Sequence, residues 1–356
     1  MKIAIFHDYF DKIGGGERLV INLAKELNAD IYTGFVDNKN TFSFSGIKVV
    51  SLNVNKGLPA VIRNLKISKR FKDYKFPKYD CYIFSGLWCI SAAKNNHPNI
   101  LYLHTPPRFI YDLKEYYLKN CNFVQKRLLG KLIKYWKPKD RDYINQFDII
   151  CPNSNNVKGR VLEYYGENIY KKCKTVYTGI ETKKFYFKKY GDFYLSTSRL
   201  DSLKRIDLII KTFNTIPNRK LLIVGVGPQE DMLKKMAAHN NNIKFLGKVS
   251  ENKLLELYSL CKATIVASVD EDLGLSAIES QAAGKPVLVV KEGGFKETVI
   301  DGKTGYFFKP NKHSLKAAIY RLENKKWDYK KIQKHVKQFD INVFSNKIKK
   351  IIKEII

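Results

Sequence analysis

The chain alternates short apolar runs with segments of helical periodicity, and this alternation starts twice. In the first half, apolar runs as long as a buried strand are followed by turns and then by segments with apolar residues at helical spacing. After a polar, lysine-rich stretch over residues 182–192, the same order begins again at Phe193. This pattern favours parallel sheets with helices on both faces. We therefore predict an α/β protein with one sheet in each half.

The predicted strands are apolar runs that end in a turn. They cover residues 2–6, 30–34, 47–52, 79–85, 99–104 and 148–152 in the first half, and 193–197, a run from 221, 243–246, 263–267 and 287–290 in the second. A length of 356 residues also exceeds what one hydrophobic core usually supports. Two domains follow from both observations.

Composition bears on where the protein works. No run of about 18 uncharged apolar residues occurs, and the chain passes directly from Met1 and Lys2 into a predicted strand. Six cysteines are scattered, without a C-x-x-C pair or a histidine at metal-ligand spacing. We therefore expect no transmembrane helix, no signal peptide, reduced cysteines and a cytoplasmic location.

The formal net charge of +30 is unevenly distributed. Residues 51–200 contain 29 Lys and Arg against 11 Asp and Glu, whereas residues 251–300 contain 5 basic and 8 acidic residues. One interpretation is that the basic protein lies beside an anionic surface and binds a sugar in an acidic pocket. The other is a compositional bias toward lysine throughout the chain, and the sequence leaves both open.

Two glutamates mark a candidate site in the acidic segment. Glu271 lies in the turn after the strand at 263–267, and Glu279 lies about a turn and a half into a helix that begins near Gly274. Both can face a cleft at the carboxyl end of the strand, where ligands bind in open α/β sheets. Alternatively, both are solvated surface residues.

Other segments add candidate anion contacts. Gly14, Gly15 and Gly16 lie between a strand and a helix, where backbone amides and the helix dipole favour an anion, although three glycines can also form a simple tight turn. Arg199 and Lys204 flank a loop after a strand and can clamp a diphosphate, or they are ordinary surface charges.

Residues 123–137 have apolar side chains at helical intervals with Lys and Arg between them. Such a helix can lie on an anionic bilayer, where each basic residue contributes on the order of 1 kcal/mol. It can equally pack its apolar side on the domain and expose its charges to water.

Several motifs follow one another along the chain. They are Gly14-Gly15-Gly16-Glu17-Arg18, His104-Thr105-Pro106-Pro107-Arg108, Ser198-Arg199-Leu200 with Lys204-Arg205-Ile206-Asp207, Gly225-Val226-Gly227-Pro228, Glu271 with Glu279, Ala283-Gly284-Lys285-Pro286-Val287, and Gly293-Gly294 through Tyr306. Taken in this order, the motifs resemble the retaining, nucleotide-sugar-dependent glycosyltransferases of family 4, which have the GT-B fold. Most similar are the O-antigen-type mannosyltransferases that use GDP-mannose.

The resemblance implies two facing Rossmann-like domains with a cleft between them. The acceptor-binding domain would cover residues 1–182 and the nucleotide-sugar-binding domain residues 183–335, while a C-terminal helix over 336–356 crosses back to the first domain. The implied function is transfer of a hexose, mannose from GDP-mannose as the leading choice, to a lipid-linked or surface glycan. The enzyme would work at the cytoplasmic face of the membrane, without cofactor, metal ion or nucleic acid.

The resemblance also implies a role for each candidate residue. Arg199 and Lys204 would neutralise the departing diphosphate. Glu271 would hold the transferred sugar, with His104 contacting it from the other domain, and Glu279 would bind the ribose. The remaining contacts are Gly15, Gly16, Gly225, Gly274 and Leu275 for the donor, and Asp8 and Arg108 for the acceptor.

Two further functions remain open at this stage. One is a nucleic-acid-binding protein on an inactive GT-B scaffold, which the net charge favours but the absence of a nucleic-acid motif does not. The other is a nucleotide-sugar epimerase of the same fold. Asp270-Glu271-Asp272 also forms the D-x-D signature of metal-dependent glycosyltransferases, but its position before Gly274 and Glu279 favours a metal-free site.

Overall fold

The structure, a computed structural model, describes residues 1–12 and 14–356. The chain forms two compact units, Met1–Thr178 with Phe344–Ile356, and Gly179–Val343. The first boundary expected from the sequence, after residue 182, lies close to the observed one after Thr178. The second, expected after residue 335, lies before the observed one after Val343. The chain continues in the second unit past 335 because the helix at Tyr329–Val336 and the short 3-10 helix at Lys337–Phe339 belong to it.

The first unit contains a six-stranded parallel sheet with the order β3-β2-β1-β4-β5-β6. Its strands are β1 (Ile3–His7), β2 (Asp30–Thr33), β3 (Val49–Ser51), β4 (Cys81–Ser85), β5 (Asn99–Leu103) and β6 (Ile149–Pro152). Its helices are α1 (Gly15–Leu27), α2 (Ala60–Asp73), α3 (Lys114–Lys119), α4 (Phe123–Ile144), α5 (Asn155–Tyr165) and α6 (Glu167–Lys171), with a 3-10 helix at Cys89–Asn95.

The second unit contains another six-stranded parallel sheet, with the order β12-β11-β10-β7-β8-β9. Its strands are β7 (Phe193–Thr197), β8 (Lys220–Val224), β9 (Ile243–Gly247), β10 (Ala263–Val266), β11 (Val287–Val290) and β12 (Gly305–Phe308). Its helices are α7 (Ile206–Phe213), α8 (Glu230–Ala237), α9 (Glu251–Leu260), α10 (Leu275–Ala282), α11 (Phe295–Thr298), α12 (Lys312–Glu323) and α13 (Tyr329–Val336).

The strand orders confirm the predicted α/β class and place a switch point in each sheet. In both sheets the first strand of the unit, β1 or β7, has neighbours whose connections run to opposite sides. Ligands of such sheets bind beyond the carboxyl ends of the strands at this point. The loops after β1 and β4, and those after β7 and β10, are therefore the positions that matter for function.

The central strands are buried on both faces, as continuous apolar runs predict. All five residues of β1 and all four of β11 are buried. Strand β12 is absent from the predicted strands. It lies at the sheet edge, and its apolar run at 306–308 has three residues between Gly305 and Lys309, shorter than the run of about four that indicates a strand.

Helix α4 extends beyond the segment that the sequence pattern suggested. It runs to Ile144 and includes Pro138 in its interior. The helix begins with a capping box in which Asn122 and Gln125 exchange hydrogen bonds. Its buried residues, which include Trp136 and Asp140, all lie from Leu132 onward.

The chain ends in helix α14 (Ile341–Ile355), whose residues from Phe344 onward belong to the first unit. The Phe344 ring meets Tyr102 of β5 edge-on, with 5.2 Å between the ring centroids. Lys349 forms an ion pair of 3.2 Å with Glu26 of α1. Burial of Ile348 and Ile352 therefore joins the end of the chain to the core of the first unit.

Candidate functional site

In the second unit, two loops meet at the switch point of the sheet. The loop over 198–205 follows β7, and the loop over 267–274 follows β10, which pairs with β7. A backbone hydrogen bond of 2.8 Å from Val269 to the carbonyl of Leu203 joins them. The predicted residues Arg199, Lys204 and Glu271 lie on these loops.

Lys204 and Glu271 form an ion pair between the two loops. Their side chains are 27% and 23% exposed, so the pair is accessible from solvent. A second pair joins the same loops to the end of β11: Arg205 donates to Glu292 at 3.0 Å. The sequence pattern missed Glu292, because it lies 87 residues from Arg205 and follows no recognisable spacing.

Arg199 is positioned differently from Lys204. Its side chain is 71% exposed and lies 3.7 Å from the carboxylate of Asp201, within its own loop. Lys204 is therefore the cation that the fold holds against Glu271, and Arg199 is a largely exposed cation beside it.

Gly274 initiates α10 with a backbone that favours glycine. Its φ angle of +88° is left-handed, and a Cβ there would lie 2.4 Å from the ring of Phe295. No side chain caps the helix. The amides of Leu275 and Ser276 therefore begin a helix without a side-chain cap, at the end of the loop that contains Glu271. Such free amides at a helix start favour an anion.

Glu279 is held from behind by a buried phenol. Tyr258 of α9 donates to its Oε2 at 2.9 Å and lies 2.8 Å from the hydroxyl of Thr197 at the end of β7. Burial raises the pKa of Tyr258 well above its ordinary value, so the phenol stays protonated. This contact fixes the orientation of a half-buried carboxylate one turn into α10.

Gly225 allows the turn after β8 to contact the turn after β7. Its φ angle is +131°, and a Cβ there would lie 1.9 Å from the carbonyl oxygen of Ser198. Backbone hydrogen bonds of 3.1 Å from Ser198 to Val224 and from Leu200 to Val226 lie on either side of this contact. Gly225 therefore positions the loop that contains Arg199.

In the first unit, His104 follows β5 and faces the start of α1. Its Nε2 lies 3.0 Å from the hydroxyl of Ser85, and a Cβ added at Gly16 would lie 3.8 Å from its Cε1. Burial, with His7 nearby, lowers the pKa of His104 to about 4. The imidazole is therefore neutral at physiological pH and available as a hydrogen-bonding group.

Gly15 and Gly16 form the first turn of α1, as the strand, turn and helix pattern predicts. Gly14 is the N-cap, and no side chain caps the helix. Because Gly16 approaches His104, the amides of this turn and the imidazole border the same end of the first sheet.

The two residues assigned to the acceptor have internal partners. The carboxylate of Asp8 accepts hydrogen bonds of 2.7 to 2.8 Å from the backbone amides of Leu87, Trp88 and Cys89. Asp8 thereby joins the loops after β1 and β4 at the switch point. Arg108 donates to Asp112 at 2.6 and 2.8 Å.

Within residues 1–12 and 14–356, no three His, Cys, Asp or Glu side chains are grouped so that they could hold a metal ion. Over the same residues, no helix is both long and apolar enough to span a membrane.

Comparison with known proteins finds a family likeness in the second unit. Residues 180–339 match the family model described as Glycosyl transferases group 1. This segment is therefore similar to the group 1 glycosyltransferases. MJ1178 of Methanocaldococcus jannaschii, an uncharacterized glycosyltransferase, is 27% identical over 95% of this chain and 93% of its own length. The alpha-1,3/1,6-mannosyltransferase ALG2 of Dictyostelium discoideum is 23% identical over 100% of this chain and 98% of its own length.

Solved structures extend the likeness of fold to the whole chain. Sucrose-phosphate synthase from Thermosynechococcus elongatus has a TM-score of 0.79 against this chain. The two are 18% identical over 99% of this chain and 98% of the synthase chain. Anabaena HepE in complex with UDP-glucose has a TM-score of 0.74, with 18% identity over 99% and 100%. These matches confirm the GT-B fold.

We expect the neutral state of His104 to make the free energy of unfolding depend on pH. The imidazole pKa is about 6.5 in an unfolded chain and about 4 in the fold. Between these values the unfolded chain binds a proton that the native chain does not. Stability is therefore fully present above about pH 6.5 and falls toward pH 4, by up to about 1.4 kcal/mol per pH unit.

Urea denaturation between pH 4 and 7.5, for wild type and His104→Gln, measures this effect. The difference between the two curves isolates His104, because groups such as Asp140, whose raised pKa acts in the opposite direction, are common to both proteins. Parallel curves would contradict a neutral His104.

Proposed function

We propose that this chain is a retaining glycosyltransferase that moves a hexose from a nucleotide sugar to a hydroxyl of a lipid-linked or surface glycan, without a metal ion. The observation that carries the proposal is the Lys204 and Glu271 pair at the carboxyl ends of β7 and β10, next to the uncapped start of α10. A cation and helix amides suit a diphosphate, while a carboxylate suits sugar hydroxyls.

In the proposed reaction, the acceptor oxygen bonds to the anomeric carbon on the face from which the phosphate departs. The bond from that carbon to the phosphate oxygen breaks, and this oxygen takes the proton of the acceptor hydroxyl. Lys204, with Arg199, stabilises the charge that develops on the diphosphate, and the amides of Gly274 and Leu275 assist. Glu271 orients the sugar.

Other donor contacts follow from the same arrangement. Glu279, oriented by Tyr258, binds the ribose hydroxyls, and Gly225 holds the loop that contains Arg199. In the first unit we assign donor contacts to the amides of Gly15 and Gly16 and a sugar contact to His104.

On the acceptor side, Arg108 contacts the acceptor. Asp8 acts through the loop after β4, which its carboxylate holds, rather than by direct contact.

The leading donor is GDP-mannose, and UDP-glucose is the main competitor. The His104 motif and the likeness to ALG2, a mannosyltransferase, favour mannose. HepE has been solved with UDP-glucose, so this donor belongs in the same experiment.

The direct test is transfer from a panel of nucleotide sugars to a polyprenyl-diphosphate glycan, with the anomeric configuration of the product determined by NMR. Retention and transfer that survive EDTA are expected. Neither transfer nor donor hydrolysis with any nucleotide sugar would refute the proposal. A product of unchanged mass formed without acceptor would instead identify an epimerase, and salt-resistant binding of nucleic acid would favour the scaffold alternative.

A membrane surface is proposed as a partner because α4 exposes apolar and basic side chains together. Phe123, Val124 and Leu128 are 81%, 64% and 52% exposed. Lys126 and Arg127 lie between them and are exposed as well. An apolar surface of this kind among cations suits the interface of an anionic bilayer.

A basic groove on the same unit suits an anionic acceptor. It lies between α2 and the loop after β3, encloses about 750 Å³, and is lined in part by Lys66, Lys69, Arg70 and Lys75. Asp73 is the acidic residue in its lining. The excess of positive charge supports an acceptor with a phosphate-linked lipid.

Replacing Phe123 and Val124 together with serine is expected to weaken binding to vesicles that contain phosphatidylglycerol by about tenfold or more, because insertion of both side chains is lost. Vesicle sedimentation measures the effect. The control replaces Met232 and Ile300 with serine, since these are exposed apolar residues of the second unit, 43% and 41% exposed. Equal binding by both double variants would contradict a membrane role for α4.

A further inference from the structure

The loop over 105–113 follows His104 and contains Arg108. Side-chain hydrogen bonds hold it near both of its ends. At its start, the guanidinium of Arg160 in α5 donates to the hydroxyl of Thr105 at 2.7 Å. At its end, the phenol of Tyr111 donates to the carboxylate of Asp140 in α4 at 2.8 Å. Both anchoring side chains are buried, with Arg160 5% and Asp140 1% exposed.

Asp140 is an unusual residue to place in a core. Its carboxylate accepts a second hydrogen bond of 2.8 Å, from the phenol of Tyr165 at the end of α5. Burial raises the pKa of Asp140 to about 6. A buried carboxylate costs free energy unless its hydrogen bonds are made, so these two phenols are strongly held in place.

The ring of Tyr111 is fixed as well as its hydroxyl. It stacks on Tyr164, with 4.6 Å between the centroids and 4° between the planes. The ammonium of Lys137, one turn before Asp140 on α4, lies 5.5 Å from the ring centroid of Tyr111. The loop therefore has one well-defined position against α4 and α5.

Helix α4 connects this anchor to a different surface. Its first half is the exposed apolar and basic surface around Phe123, whereas its second half holds Tyr111 through Asp140. Trp136, which lies on α4 between these two parts, packs against Trp88 with 4.4 Å between the ring centroids. This contact fixes the helix to the core.

We propose that Asp140 is a positioning residue for the acceptor, which holds the 105–113 loop through Tyr111 in the conformation that receives the acceptor hydroxyl. The inference rests on the proposed function, because it takes Arg108 and His104 to be acceptor and sugar contacts. Asp140 touches neither substrate, and its effect passes through the loop. Because α4 also forms the proposed membrane surface, membrane contact and the position of the 105–113 loop depend on the same helix.

Two phenylalanine variants provide a matched test. Tyr111→Phe and Tyr165→Phe each remove one hydrogen bond of 2.8 Å to the same carboxylate, but only Tyr111 lies on the loop. The two variants should lower the melting temperature to a similar extent. Tyr111→Phe should raise the acceptor KM by about fivefold to tenfold, as expected for the loss of one hydrogen bond, whereas Tyr165→Phe should leave it within twofold. The donor KM and donor hydrolysis should be unchanged in both.

The outcomes separate the inference from the proposed function. If wild type shows no transfer with any donor, the proposed function fails. If wild type transfers sugar and both variants have the same acceptor KM, the positioning role of Asp140 is wrong. Asp140→Asn offers a second check, because it keeps an oxygen that can accept a hydrogen bond but loses the charge. Like Tyr111→Phe, it should raise the KM for the sugar acceptor. Vesicle binding by Tyr111→Phe should match wild type, because its exposed α4 surface is intact.

Discussion

Glu271→Gln is expected to reduce kcat for sugar transfer by about 10²- to 10³-fold, the usual effect of removing one group that stabilises a transition state. Glutamine keeps the size of the side chain but removes the charge that holds Lys204 and orients the sugar. Stability should change little, because a pair that is 27% and 23% exposed contributes at most about 1 kcal/mol. Steady-state kinetics and a melting curve measure the two effects separately.

The matched control is Glu292→Gln. Glu292 pairs with Arg205 on the same loop, and the side chains are 29% and 25% exposed, so the structural disturbance is comparable. We expect the control to keep kcat within about threefold of wild type. Equal losses in the two variants would indicate that the loops only need to be held together, and that Glu271 has no part in the chemistry.

Lys204 and Glu271 should act together in catalysis. If the cation serves the departing diphosphate and also orients Glu271, the effects of Lys204→Ala and Glu271→Gln on kcat will not add in the double variant. Additive effects would instead assign the two side chains to independent steps.

Much of this arrangement could be predicted because local chemistry determines it. Apolar runs identified eleven of the strands, and Ser154 caps α5 by accepting a hydrogen bond of 3.0 Å from the amide of Val157, a residue type and position typical of a helix start. Gly274 before α10 also follows from local backbone preference, since its φ is left-handed. Such features depend on neighbours within a few residues.

The contacts that join distant segments could not be predicted in this way. Tyr258 and Glu279 are 21 residues apart, and Asp8 binds amides about 80 residues away. Each partner becomes a neighbour only when strand order and register are known. The family resemblance assigns Asp8 to the acceptor, whereas its three backbone hydrogen bonds depend on β1 lying beside β4.

The exposure of side chains is also set by tertiary structure. Periodicity alone gives α4 one apolar side, but the fold buries that side only from Leu132 onward and leaves Phe123 and Leu128 in solvent. The two interpretations of this helix therefore apply to different parts of it. Burial establishes packing from Leu132 onward, and membrane contact is proposed for the part before it.

Gly225→Ala is expected to have the largest effect on stability. A Cβ there would lie 1.9 Å from the carbonyl oxygen of Ser198, and the neighbouring strand ends are held by backbone hydrogen bonds, so the loop must move. Strain at a φ of +131° and overpacking each cost about 1–3 kcal/mol. The expected loss in free energy of unfolding is therefore about 2–6 kcal/mol.

The control for this prediction is Gly247→Ala. Gly247 accepts a hydrogen bond from Gly225 and also has a left-handed backbone, with a φ of +63°, but no atom lies within 4 Å of a Cβ placed there. It should lose only the conformational term, about 1–2 kcal/mol. Urea denaturation gives both values, and the affinity for the nucleotide sugar gives a second readout. Because only Gly225→Ala displaces the loop that contains Arg199, it alone should weaken donor binding. Equal affinities in the two variants would show that this loop does not contact the donor.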